Sequence, residues 1–246
     1  MIRWLVLILI ILICGSCADN QKKVVLNNNP IKPGATIIIH QNQPNAYTLE
    51  ELFEDSLHIG TKGLYKVQLK QYRHAGDVSV KIELSERQKN SWIKKQALKF
   101  DKDGITSSDA EIADFNNDEL GDLTFQSAAA ARGANEIRTL LIFDKVSGMF
   151  IPIKNSESYP NLRYNKKLDC IDTLLVSGCW VTVFLHLRKD SLSEFADVNV
   201  CGDSVSVAVR DMHGIRKYLI KNKKNTFGDF PRFENFRPLK KLDEKP

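Results

Sequence analysis

The sequence predicts an all-β fold, mainly antiparallel, with one short helix. Three observations carry this. Most segments alternate apolar and polar residues, or run short and β-branched, rather than repeating every three to four residues. Tight-turn punctuation separates them: His74-Ala-Gly76, Asp144-Lys-Val-Ser-Gly148, Gly202-Asp203 and His213-Gly214. No clean internal repeat is present, which excludes a full multi-blade propeller and leaves a sandwich or a partial-propeller-like set of small sheets.

In order along the chain, Arg3 precedes an apolar run, Trp4 to Ile13, and Gly15-Ser16-Cys17 follows. A basic residue, a short apolar stretch and a small-residue exit make a secretory signal over residues 1–16. The run is shorter than the roughly 20 residues of a membrane span. Gly15, Ser16 and Cys17 resemble a lipobox, with Cys14 where Leu is usual, so Cys17 is the expected lipidation site. Residues 17–34 are rich in Asn, Gln and Lys with little to bury, and read as a lipidated tether.

The β-rich domain is expected over residues 35–224. Thr36 to His40 reads as a strand. Thr48 to Asp55 reads as the short helix, with Thr48 as N-cap and Glu51 closing a capping box. Leu64 to Tyr72 and Asp77 to Leu84 form a hairpin pattern, and Ser91 to Phe100 leads as a strand into the turn Asp101–Gly104. Leu123 to Phe125, Ile137 to Phe143 and Met149 to Ile153 are strands. A meander follows: Ile171 to Val176, Trp180 to Leu187, Phe195 to Val200, Ser204 to Arg210 and Ile215 to Ile220. Residues 225–246 are polar and aromatic-dotted, a C-terminal strap or tail.

Charge excludes one class of partner. The chain has 35 basic and 30 acidic residues, and the basic ones are scattered apart from Lys221, Lys223, Lys224, Lys240 and Lys241. A nucleic-acid surface would show a denser basic stripe with interleaved aromatics. Beyond Cys17 three cysteines remain. A hairpin turning near Asp190 brings Cys179 toward Cys201, but the alternation places them on opposite faces unless a bulge intervenes, so their pairing stays open.

One stretch carries most of the chemical information: Asp114-Phe-Asn116-Asn-Asp118-Glu-Leu120-Gly-Asp122. Acidic or amide side chains at positions one, three, five and nine can aim several oxygens at one point. A hard cation takes about 6–8 such ligands, so calcium is the expected cofactor. By loop position the ligands are Asp114, Asn116, Asp118, the Leu120 carbonyl and Asp122, with Asp101, Asp103, Asp109 and Glu111 as further oxygen donors. Glu119 occupies the sixth position, where Gly normally permits the sharp turn, and Phe125 stands where a bidentate Glu would close an EF-hand. Outside the cell calcium fills sites as weak as about 10⁻⁴–10⁻³ M.

The run Ala113 to Leu123 resembles the calcium loop of FG-GAP/VCBS-type β-repeats. The order acidic loop, small-residue stretch, strand, Asp-x-x-x-Gly turn and strand (residues 113–153) resembles a family of exported bacterial β-proteins. Some members of that family are calcium-dependent lysozyme inhibitors. The resemblance implies a structural calcium site and a protruding loop that engages a partner.

Catalytic patterns are absent from the sequence. The five histidines form no zinc-binding spacing, and no nucleophile elbow or phosphate loop occurs. The expectation is a non-enzymatic, calcium-braced lipoprotein of the cell envelope, held on the membrane by its lipid. It would bind a lysozyme-like protein or a cell-wall glycan through Ser127 to Asn135, and not nucleic acid. An envelope glycan or peptide hydrolase, or a structural subunit of an envelope complex, is the alternative.

Overall fold

The computed structural model describes residues 34–38, 47–104 and 106–242. The chain divides into Met1–Pro30 and Ile31–Pro246, and every described residue belongs to the second unit. The signal segment, Cys17, most of the tether and His40 lie outside the described residues.

Among the described residues, seventeen strands form four antiparallel sheets, and in each sheet spatial order equals chain order. The first holds β1 (Ala35–Ile38), β2 (Thr48–Asp55), β3 (Tyr65–His74), β4 (Asp77–Gln88) and β5 (Ser91–Lys102). The second holds β6 (Glu111–Ala113), β7 (Asp122–Ala130), β8 (Asn135–Asp144) and β9 (Met149–Pro152). The third holds β10 (Arg163–Asn165), β11 (Cys170–Val176), β12 (Trp180–Arg188), β13 (Ser191–Cys201), β14 (Ser204–Arg210) and β15 (Arg216–Lys224). A terminal hairpin pairs β16 (Phe233–Phe236) with β17 (Leu239–Lys241).

The expected helix is a correction: Thr48–Asp55 is strand β2, and helical structure among the described residues is limited to two single 3-10 turns. Glu51, Phe53 and Asp55 point into the core while Leu52 and Glu54 face outward. The capping-box spelling is therefore a strand with carboxylates on its buried face. Both accept backbone N–H groups, although Glu51 Oε1 is buried with no hydrogen-bond partner. Glu51 Oε2 accepts the Ser108 N–H at 2.7 Å. Asp55 accepts the Leu57 and His58 N–H groups at 2.9 and 2.7 Å and contacts His58 Nδ1 at 2.8 Å.

Three apolar cores stack the sheets. Val67, Leu69, Ile82 and Leu84 of the first sheet pack on Leu123, Phe125, Leu141 and Phe143 of the second. Leu140 and Ile142, on the opposite face of β8, pack on Ile171, Val183 and Leu185 of the third. The other face of the third sheet, with Phe184, Val198, Val200, Val205 and Val207, is covered by Phe233 and the half-buried Phe227, Phe236 and Leu239. Strand β8 is thus buried on both faces, which is why Leu140 to Phe143 reads as a continuous apolar run rather than an alternation.

The third sheet resolves the cysteine question. Arg188↔Ser191 through Leu185↔Glu194 form a regular ladder, but Phe184 pairs with Ala196, leaving Phe195 as the extra residue of a bulge. That single shift corrects the parity and sets Cys179 beside Cys201, where the two are disulfide-bonded. Cys170 is free and buried, and burial pushes its thiol up to about 12. The tail is pinned by Arg232, whose Nε donates to Asp172 Oδ1 at 2.7 Å, both residues being buried.

Candidate metal-binding site

Strand β7 carries a candidate feature at each end. At its start, β6 and β7 pair Glu111↔Thr124 through Ala113↔Asp122, so residues 114–121 are the connection of a short hairpin. Asp114 organises it. Its Oδ1 accepts the N–H groups of Asn116 and Asp118 at 3.2 Å each, and its Oδ2 accepts that of Glu119 at 2.9 Å. Asp118 Oδ1 accepts the Leu120 N–H at 2.9 Å, and its Oδ2 accepts Asn116 Nδ2 at 2.9 Å. The remaining amide oxygen, Asn116 Oδ1, is buried and receives no hydrogen bond. Asn117 and Glu119 are both left-handed, with φ of 60° and 65°. The backbone makes the sharp turn at position six although Glu119 stands there, a conformation costing an L-residue about 1–2 kcal/mol.

Asp122 has a different place. It is fully buried, and its oxygens accept the backbone N–H groups of Phe115 and Phe143, each at 2.8 Å. The carboxylate thereby ties the loop to strand β8. Burial pushes its pKa up to about 7, the charges of Asp118 and Asp114 add to the rise, and the two N–H donors oppose it. Gly121, next to it, is required by close approach: a Cβ there would lie 1.9 Å from the His58 carbonyl oxygen. The loop is therefore locked against the β2–β3 connection on one side and β8 on the other.

The predicted accessory donors do not converge on the loop. Asp103 accepts from Thr106 and from the Ala129 N–H, Asp109 lies beside Arg138, Asp101 lies beside Lys99, and Glu111 is exposed. Among the described residues, no three His, Cys, Asp or Glu side chains gather as a metal cluster. Asp114, Asn116 and Asp118 fit a hard cation: Asp114 Oδ2 and both Asp118 oxygens each accept one N–H and keep a lone pair, Asp114 Oδ1 already accepts two, and Asn116 Oδ1 is unengaged. Backbone and water oxygens would complete the sphere.

At the far end of β7, the small-residue stretch divides in two. Ser127 is buried at a bulge between Gln126 and Ala128, whereas residues 129–134 are exposed at the tip of the β7–β8 hairpin. Ala131, Arg132 and Gly133 turn the chain with φ of 50°, 57° and 90°. Two asparagines without a legible sequence signal clamp the base. Asn135 exchanges two 2.9 Å bonds with the backbone of Val176, and Asn161 Oδ1 accepts the Glu136 N–H while its Nδ2 donates to Leu174 O at 2.8 Å. The tip is held firmly and faces outward.

The described histidines are dispersed: His58 bonds Asp55, His74 stacks on Tyr47, His186 stacks on Phe195, and His213 sits on an exposed turn. The fold and site define a stack of antiparallel meanders with an Asx-rich acidic loop. No family model and no curated protein matches the chain. Among solved structures it is similar to "Structure of a Xanthomonas Type IV Secretion System related protein", at 14% identity and a TM-score of 0.44, over 72% of this chain and 97% of that one.

Proposed function

We propose that this chain is a lipoprotein of the bacterial cell envelope, anchored through Cys17, whose β-domain is a calcium-braced, non-enzymatic binding module. Calcium sits in the Asp114–Asp122 loop, and the exposed hairpin tip around Arg132 engages the partner, in the specific version a lysozyme. The observation that carries the reading is the loop itself: Asp114 and Asp118 are preorganised by their own backbone, with the buried Asn116 Oδ1 left without a donor. Calcium supplies positive charge at this cluster. The chain's own residues set the geometry, through the left-handed turn at Glu119 and the Asp122 tie to β8.

The test is thermal melting of residues 18–246 in millimolar calcium and in excess EDTA. At about 100 times the dissociation constant, calcium should stabilise by roughly 2.7 kcal/mol, a shift of a few degrees at this size. Asp114→Ala with Asp118→Ala should abolish the shift. The same protein should slow lysozyme turnover stoichiometrically, and Arg132→Ala should weaken that inhibition. No shift at calcium up to about 10 mM removes the metal, and no inhibition across several lysozyme types removes the partner.

A further inference from the structure

Among the described residues, strand β15 is an edge of the third sheet and pairs only with β14. It reads Arg-Lys-Tyr-Leu-Ile-Lys-Asn-Lys-Lys, and no acidic residue occurs between Asp211 and Asp229. Leu219 and Ile220 pack on the third core and fix the strand in place. Lys217, Lys221, Lys223 and Lys224 are exposed. Arg216 is committed to Asp197, at 2.6 Å, and flanks Tyr218 together with Lys221, at 4.8 and 5.5 Å from the ring.

The turn that feeds this strand is built, and it presents apolar side chains. The Asp211 N–H donates to Ile215 O, and Asp211 Oδ1 accepts the His213 and Ile215 N–H groups at 2.8 and 2.9 Å. At its apex Met212 is 93% exposed and Ile215 is 65% exposed. Lysine on an edge strand is a common guard against strand pairing. That guard does not account for two large apolar side chains held in water beside the cations.

We propose that the β14–β15 hairpin docks on an anionic lipid bilayer, with Met212 and Ile215 entering the interface and the lysines of β15 lying against lipid phosphates. Apolar burial and attraction to anionic headgroups together give binding of this kind. The surface would orient the domain on its membrane. The inference deepens the envelope-anchored reading and rests on it for the supply of a bilayer.

Residues 18–246 contain the compact unit Ile31–Pro246, so this soluble form, lacking Cys17, serves as the probe protein. Co-sedimentation is measured with vesicles of equal parts phosphatidylglycerol and phosphatidylcholine, and with phosphatidylcholine alone. Binding is expected on the anionic vesicles. Lys217→Gln, Lys221→Gln and Lys223→Gln together should weaken it about a hundredfold, at about fivefold per cation. Met212→Ser with Ile215→Ser should weaken it about tenfold. The charge-matched control Lys70→Gln, Lys81→Gln and Lys99→Gln, on the outer face of the first sheet, should leave it unchanged. No binding to anionic vesicles, equal loss in the control, or binding only to a soluble polyanion such as heparin overturns the proposal. The mass of the Cys17 peptide from membrane fractions reads the anchor separately: an unmodified thiol refutes lipidation without touching the vesicle result.

Discussion

Asp122 and Asp172 are both buried aspartates, 0% and 1% exposed, and they solve the same problem in opposite ways. Asp172 lies against the Arg232 guanidinium and accepts Asn165 Nδ2 at 2.7 Å. Burial raises its pKa, and Arg232 and Asn165 pull it back. Asp122 receives two backbone N–H groups, while the charged groups that act on it, Asp118 and Asp114, are like-charged. Desolvating a carboxylate is costly in either place. The third sheet meets the cost with a cation from the chain's own tail, whereas the acidic loop leaves room for one from solution or for a proton.

The comparison is broken most severely at the paired site. Arg232→Ala should cost about 3–5 kcal/mol, because it strands the Asp172 charge in the interior. Chemical denaturation should show the same loss in calcium and in EDTA. A loss that calcium restores would mean that the two sites are not independent.

The Asp122 site should respond to pH. Its folded pKa, about 7, lies above the ordinary value of 3.8. Its contribution to stability is therefore full below about pH 3.8 and is lost as pH rises through 7, with the sign of a group whose native state holds the proton. In EDTA, the wild type should lose more stability between those limits than Asp122→Asn, whose amide does not ionise. Calcium bound in the loop as proposed would favour the ionised form and flatten the difference. Identical slopes for the two proteins would show that Asp122 ionises as readily in the fold as in water.

The smallest effect is expected at Glu119. Glu119→Gly removes the strain of a left-handed L-residue and should stabilise the fold by about 1 kcal/mol, partly offset by glycine's greater freedom when unfolded. Calcium should bind more tightly to the variant, as isothermal titration would show. Weaker binding would mean that the Glu119 side chain itself supports the loop.

Much of the strand order was legible because Asp- and Gly-bearing turns separate runs of strand length, as at Asp144–Gly148 and Gly202-Asp203. The region Thr48–Asp55 was not, because its burial pattern is inverted: Glu51 and Asp55 face the core and find donors in Ser108, Leu57 and His58, partners no local pattern announces. At the candidate site, spacing alone identified the loop and its small-residue neighbour. It did not show that Asp122 serves as an interior tie to Phe143, since that contact spans 21 residues. Nor did it reveal the clamps at Asn135 and Asn161, whose partners are backbone groups of β11 and, for Asn161, of Ala134 and Glu136.

The bulge at Phe195 has a consequence for how this chain can vary in length. Phe195 stands outside the pairing ladder, while Glu194 faces Leu185 and Ala196 faces Phe184. Deleting that one residue would leave all other members of β13 with their present partners and keep Cys201 beside Cys179. Deleting Ala196 instead would force the Phe195 ring into a fully buried alanine position opposite Phe184, and deleting Val198 would turn Ala196 and Asp197 to the opposite face. Codon loss along this strand should therefore be tolerated at one position and purged at its neighbours, and homologues with a shorter hairpin should lack the aromatic ring that now stacks on His186.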